Sequence, residues 1–434
     1  MTVPAHPLRI GLAGLGTVGI GVVKIVQRHA DLIEARTGRK VIITAVSARD
    51  RTKNRDADLS DYAWETDPVA LARREDVDVF VEVMGGHEGP AKAATEAAIA
   101  AGKDVVSANK ALLAHHGQEL AEAAEAGGRV IRFEAAVAGG IPVIKALTEG
   151  LAGNRITRVM GVMNGSCNYI LTRMQNEGLT YETVFEEARK LGYLEADPNL
   201  DVGGIDAGHK LALLSSIAFG TKVAFDKVEL EGIGNVSIED IELADDMGYH
   251  IKLLGVAQLT GRGLEQRMTP CLVPAESPLG QLQGGTNMVV LEGDSVGQIV
   301  LRGPGAGEGP TASAVMSDVI DLARGMRVST FGQPAKTLKD PIAAKSATPA
   351  AYYLRMTLLD KPGALAKIAT CIGEAGISID QMRQLNQPGE ADDKATVLLV
   401  THKAAPADIA HAMAQFGTTG VLVGAPVAIR IEEV

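Results

Sequence analysis

Between Leu191 and Lys210 the chain reads Leu-Gly-Tyr-Leu-Glu-Ala-Asp-Pro-Asn-Leu-Asp-Val-Gly-Gly-Ile-Asp-Ala-Gly-His-Lys. Four carboxylates (Glu195, Asp197, Asp201 and Asp206) and one lysine thus share a segment punctuated by glycine and proline. Asp206 and Lys210 are four residues apart where the apolar run Leu211–Phe219 begins, so on a helix their side chains share a face and can pair. A cation held beside carboxylates can give up a proton and can meet negative charge developing on an oxygen. A solvated acidic loop with one surface ion pair is the plainer alternative.

Further groups suited to anions lie elsewhere in the chain. Gly14-Leu-Gly16-Thr17-Val18-Gly19 follows the apolar run Leu8–Ala13 and precedes a helical pattern through Ile20, Val23 and Val26. Strand, glycine turn and helix together are the context a dinucleotide site requires: the turn bends tightly, and helix N–H groups face the pyrophosphate, a merely structural glycine turn being the alternative. After the second strand, Val41–Val46, an acid would hold the ribose of NAD. The chain offers Arg49 and Lys53 instead, which suit a 2′-phosphate and favour NADP over NAD, a solvated basic loop being the alternative. Ser107-Ala-Asn-Lys110 sets Lys110 just past a buried strand, a position that suits a contact with a substrate or with the cofactor's nicotinamide side, although a surface lysine is the plainer reading of the residues alone. Gly303-Pro-Gly305-Ala-Gly307 enters a second helical pattern, Thr311–Arg324. Gly305 or Gly307 is therefore a candidate for another cofactor contact, or else marks a plain helix-entry turn.

These groups need a scaffold. The 434 residues, 46% hydrophobic and 22% charged, belong to a globular α/β chain of several domains. A formal charge of −11 without a basic tract argues against nucleic acid or a membrane surface as partner. Cys167, Cys271 and Cys371 show no metal-ligand spacing, and no signal-peptide pattern opens the chain, so a cytoplasmic protein is expected.

Strands at Val77–Met84 and Asp104–Ser107 alternate with an alanine-rich helix near Pro90–Ala101, implying a Rossmann-type, doubly wound parallel sheet over residues 1–138, rejoined near 305–330. A second, α+β domain spans 139–304, with strands near Arg155–Val162, Leu253–Thr260 and Met288–Glu292. A linker is expected at 331–350. The order βαββαβ, a ferredoxin-like plan, is expected over 351–434.

The Leu191–Lys210 segment, with its Asp-Pro pair, its Asp-Val-Gly-Gly-Ile-Asp and the lysine four residues on, resembles the signature of homoserine dehydrogenases, and the resemblance extends along essentially the whole chain. It implies NAD(P)-dependent hydride transfer between L-homoserine and L-aspartate 4-semialdehyde, on the route to threonine, methionine and isoleucine. By the same resemblance Lys210, Lys110 and Asp206 would be catalytic, and Glu195, Asp206, Gly192 and Lys110 would hold the substrate. Gly14, Gly16, Thr17, Val18, Gly19, Arg49, Ser107, Lys110 and the Gly305–Gly307 loop would hold the cofactor. Carbonyls of Glu134, Val137, Gly139 and Ile141 would hold a monovalent cation, Na+ or K+. Residues 139–304 would be the catalytic and dimerisation domain of a homodimer or homotetramer. Cys167 lacks a base partner and is not read as a nucleophile.

Leu-Asp-Lys-Pro-Gly-Ala-Leu and Glu374-Ala-Gly376-Ile-Ser378-Ile resemble an ACT domain, which implies an amino-acid effector, threonine, and feedback regulation. Two other readings stay open: a non-catalytic sensor of cofactor and amino acid, and a dehydrogenase for another amino-acid semialdehyde.

Overall fold

The computed structural model describes residues 6–194, 197–385 and 393–434. The amino-terminal half is built on six parallel strands: β1 (Leu8–Ala13), β2 (Val41–Ser47), β3 (Ala63–Glu65), β4 (Val79–Glu82), β5 (Asp104–Ser107) and β6 (Ile131–Arg132), in the order β3-β2-β1-β4-β5-β6. Helices cover both faces, which is why β1 and β4 read as nearly unbroken apolar runs. Strand order reverses between β1 and β4, so their carboxyl ends open the crevice where a ligand binds in such sheets. The sixth strand is shorter than the run Val130–Ala138 suggested. It gives way to a turn of 3-10 helix at Glu134–Ala136, since the backbone already leaves the extended region at Phe133 (ψ 34°).

The second half begins with β7 (Ile156–Val162) and continues through β8 (Glu229–Leu230), β9 (Tyr249–Thr260), β10 (Gly263–Pro274), β11 (Thr286–Gly293) and β12 (Gly297–Pro304). The path β12-β11-β7-β9-β10 is antiparallel. Three of these strands, β8, β10 and β12, were not expected. In β10 the run Glu265-Gln266-Arg267 is buried, so it lacks the alternation of a half-buried strand; Glu265 and Glu432 neutralise Arg267 inside. Pro270 is tolerated because the second edge of β10 changes partner there, from β8 at Met268 to the last strand of the chain at Cys271.

The helix Glu308–Ala323 returns to the nucleotide sheet, packing on the helix Thr17–Arg28 so closely that a Cβ on Gly21 would lie 2.7 Å from Glu308 O. Residues 331–350, expected to be a linker, are held against the body. Phe331 packs edge-on to Phe133, Ala335 is buried, and Lys339 and Ala343 bridge to Thr221 and Leu264. From β13 (Ala351–Leu359) the chain runs through helix Ala364–Glu374, β14 (Ile379–Leu385), β15 (Lys394–Thr401), helix Pro406–Phe416 and β16 (Leu422–Ile431). These strands form an antiparallel sheet in the order β16-β13-β15-β14, and β16 joins it to β10.

Candidate active site

At the carboxyl end of β1 the glycines divide three tasks. Gly14 has φ +104° and a Cβ there would lie 2.7 Å from Val83 O, while a Cβ on Gly19 would lie 1.9 Å from Gly14 O; turn and helix thus pack without room for side chains. Nothing stands within 4 Å of the Cβ position of Gly16, which leaves an open approach to the backbone. Gly16 caps the helix without a side-chain hydrogen bond, so the amides around Thr17 and Val18 face outward for an anion. Arg49 is exposed beyond β2. The side chain that ties that loop down is Arg55 rather than Lys53: its guanidinium donates to Leu15 O (3.2 Å) and Asp50 O (2.6 Å) and stacks over Trp64.

The end of β4 carries a group that the sequence did not single out. Glu82 is fully buried; one carboxylate oxygen accepts from Met84 N (2.7 Å) and Gly85 N (3.3 Å), the other from Ser107 Oγ (2.8 Å). Burial raises its pKa even against these hydrogen bonds. Ser107 in turn accepts from Asn109 N. Asn109 caps the helix Lys110–Ala126 by accepting from Leu112 N (3.0 Å) and donates to Gly86 O (2.6 Å). Lys110 is the first residue of that helix, so this chain of bonds sets its direction.

Lys110 reaches across to the second half of the chain. Its Nζ lies 2.8 Å from Oδ1 of Asp206, while Lys210 Nζ lies 2.7 Å from Oδ2 of the same carboxylate. Asp206 and Lys210 stand one turn apart on the helix Ile205–Phe219, as their spacing required. Lys210 also donates to Met163 O (2.8 Å). Asn164 caps the helix Gly165–Glu177 through Cys167 N and donates to Asp201 Oδ1 (3.0 Å) and Asp206 Oδ2 (3.2 Å). One buried carboxylate therefore joins ammonium groups from both halves. Burial alone would raise the Asp206 carboxyl, but Lys210 and Lys110 outweigh it and hold it well below the usual range.

Around this triad the other groups are quiet. Cys167 is buried, its thiol donates to Asp201 O (3.3 Å), and desolvation pushes its pKa up, which fits an inert thiol. The His209 ring packs against Phe225 and edge-on to His115, and burial lowers its pKa to about 4, so the imidazole is neutral near pH 7. Gly192 (φ +76°) lies in an exposed turn whose next residue, Tyr193, accepts from Ser166 Oγ through its carbonyl and stacks on Tyr169. Glu195 lies outside the described residues.

A last element leads the chain back to the nucleotide sheet. Gly305 and Gly307 belong to the turn before the helix Glu308–Ala323, which Gly307 (φ +117°) caps without a side-chain bond. This turn rests on the Ala138–Gly140 bend: Gly140 N donates to Pro304 O (3.0 Å), and a Cβ on Gly139 would lie 2.4 Å from Gly305 O. Ala138 (φ +54°) is the one non-glycine with a left-handed backbone among the described residues, a conformation that costs about 1 kcal/mol. Among these residues no hydrogen-bond donor meets the carbonyl oxygens of Val137 or Gly139, whereas Glu134 O and Ile141 O each accept a backbone bond.

A doubly wound nucleotide sheet whose crevice faces two lysines bridged by a carboxylate defines an NAD(P)-dependent oxidoreductase. A family model of homoserine dehydrogenase matches residues 142–320, and one of the homoserine dehydrogenase NAD binding domain matches residues 14–134. The chain is 42% identical to homoserine dehydrogenase of Pseudomonas aeruginosa, over 98% of this chain and 99% of that one. A crystal structure of a homoserine dehydrogenase from Thiobacillus denitrificans superposes with a TM-score of 0.92 at 39% identity, covering 98% of each chain. A hyperthermophilic archaeal homoserine dehydrogenase in complex with NADPH superposes with a TM-score of 0.64 at 27% identity, over 74% of this chain and 99% of that one. The chain belongs to the homoserine dehydrogenase family.

Proposed function

We propose that the protein interconverts L-homoserine and L-aspartate 4-semialdehyde, with Lys210 as the proton donor and acceptor at the reacting oxygen. The observation that carries this is the bridge from Lys110 through Asp206 to Lys210. A sensor would need the glycine loop but no such bridge, and another semialdehyde dehydrogenase of the phosphorylating kind would need a reactive thiol where Cys167 is inert.

In this reading the bound nicotinamide supplies or accepts the hydride. Charge that grows on the aldehyde oxygen meets Lys210, whose ammonium has donated two of its three N–H groups, to Asp206 and Met163, among the described residues. Asp206 restrains that ammonium and shares itself with Lys110, so the field at the oxygen is preset rather than reorganised during reaction. Glu195, Asp206, Gly192 and Lys110 would bind the amino acid, the carboxylates accepting from its ammonium. Gly14, Gly16, Thr17, Val18, Gly19, Ser107, Lys110 and the Gly305–Gly307 turn would bind the nucleotide. NADP is favoured over NAD, supported by exposed Arg49 and by the NADPH complex of the archaeal relative.

The carbonyls of Glu134, Val137, Gly139 and Ile141 fit a monovalent cation. The left-handed pair Ala138–Gly139 turns the backbone, and two of the four oxygens lack a donor among the described residues. Hard oxygen donors of this kind suit Na+ or K+ rather than a soft metal.

The domain bounds 1–138, 139–304 and 351–434 are part of the proposal, with the nucleotide domain rejoined at 305–330 and the 331–350 stretch packed on the body rather than hanging as a free linker. The carboxyl-terminal unit is proposed as a ferredoxin-like ACT domain binding threonine, supported by its element order and its strand order β16-β13-β15-β14. A homodimer or homotetramer in the cytoplasm completes the proposal. In support, no helix among the described residues is long and apolar enough to cross a membrane, and the three cysteines are free.

The direct assay follows nicotinamide absorbance with homoserine under NADP and NAD, then adds threonine. Turnover with homoserine is expected, faster with NADP and altered by threonine; absence of turnover overturns the reading.

A further inference from the structure

Asn287 stands on β11, buried to 1% exposure, between the carbonyl that holds Lys210 and the Gly303–Gly307 turn that enters the helix Glu308–Ala323. Its Nδ2 donates to Met163 O (3.0 Å), the same oxygen that accepts from Lys210 Nζ (2.8 Å). Its Oδ1 is buried and meets no donor among the described residues. Gly305 lies flat against this amide: a Cβ there would come within 2.1 Å of Nδ2 and 2.4 Å of Oδ1. The other face of the turn is fixed, since Gly140 N bonds to Pro304 O and Gly139 abuts Gly305 O. A small shift of Gly305 toward β11 can only be taken up by the amide.

From this contact we infer that Asn287 is a positioning residue, which couples the place of the Gly303–Gly307 turn to the carbonyl that orients the Lys210 ammonium. The inference rests on the proposed role of Lys210. A carbonyl oxygen has two lone pairs, and here both have partners, one from Lys210 and one from Asn287. The amide therefore fixes the direction of the Met163 carbonyl, and with it one of the two anchors of the ammonium. Buried polar atoms without partners are uncommon and costly. The orphaned Oδ1 is retained here beside a glycine that makes room for the amide, which argues against a merely space-filling residue. Nucleotide binding that moves Gly305 would thus be felt at Lys210 without any contact between Asn287 and either substrate.

The test is a double-mutant cycle of Asn287→Ala and Gly305→Ala, with kcat, KM for homoserine and nucleotide, and the pH profile of kcat read for each variant. Misplacing a catalytic group by about 1 Å costs on the order of 100-fold. Asn287→Ala is expected to lower kcat tenfold or more, to displace the pH profile of kcat, and to leave nucleotide KM within about twofold. Gly305→Ala alone should lower kcat and raise nucleotide KM; added to Asn287→Ala, where its methyl has room, it should lower kcat no further. Asn287→Leu, branched in the same way but without a donor, should lose kcat as alanine does, and it serves if alanine does not fold. An unchanged kcat, an unmoved pH profile, or multiplicative effects in the double variant would overturn the inference. A fully active Lys210→Ala would instead remove the reading beneath it.

Discussion

The two sites that meet in the crevice are made of different material. In the proposed reading the nucleotide end is a backbone site: Gly14, Gly16 and Gly19 matter for the side chains they lack, and the amides that open the Thr17–Arg28 helix would face the ligand whatever residues carry them. The proposed acid–base end is a side-chain site, in which Lys110, Asp206, Lys210 and Asn164 each hold an atom that no neighbour supplies. A backbone site fails when something is added and a side-chain site when something is removed. That difference orders the expected effects.

Lys210→Ala should be the severest, lowering kcat by about 1,000-fold or more while nucleotide affinity, measured by fluorescence titration, stays within about twofold. A comparable loss of nucleotide affinity would dissolve the distinction between the two ends. Asp206→Asn leaves two ammonium groups facing a neutral amide, and a cost of about 3–5 kcal/mol is expected in denaturant unfolding, together with loss of turnover. Stability equal to the parent would mean that the bridge is not formed in solution.

The backbone end is sharpened by contrasting two glycines. Gly14→Ala meets Val83 O and a left-handed φ, so it should destabilise the fold by about 1–3 kcal/mol. Gly16→Ala meets nothing and should leave the melting temperature unchanged while weakening nucleotide binding. Equal effects of the two would show that Gly16 does not face the ligand.

A pH prediction follows from His209, whose pKa is lowered to about 4 by burial. The unfolded imidazole takes up a proton near pH 6.5 and the folded one does not. Stability is therefore complete above about pH 6.5 and is lost as pH falls toward 4, by roughly 3 kcal/mol. His209→Phe should remove that share of the acid sensitivity; an unaltered slope between pH 6.5 and 4 would contradict it. The smallest effect is expected at the ribose: Arg49→Ala should weaken NADP relative to NAD by several-fold, read as a ratio of kcat/KM values.

How far these features were legible follows the same division. The glycine loop stood out because strand, turn and helix are contiguous, and the Asp206–Lys210 pair because helical spacing brings residues four apart together. The convergence of Lys110 on Asp206 joins residues almost a hundred positions apart, and only family resemblance foretold a shared site. Glu82 was missed because a carboxylate ending an apolar strand reads as the solvent boundary; its partner Ser107 becomes a neighbour only in the sheet, and Met84, two residues on, contributes a backbone N–H that leaves no trace in residue type. Met163 contributes a carbonyl, which leaves no trace in residue type. Strand β10 was hidden because Glu265 and Arg267 look exposed until Glu432, from the end of the chain, is brought beside them.

The account turns on one atom, the Nζ of Lys210. A crystal structure of the ternary complex with homoserine and an oxidised nicotinamide nucleotide reads its place directly. The account predicts Lys210 Nζ at hydrogen-bonding distance, about 2.7–3.2 Å, from the homoserine hydroxyl oxygen, with Asp206 still bridging to Lys110. An ammonium beyond about 4 Å from that oxygen, with no water between them, would contradict it.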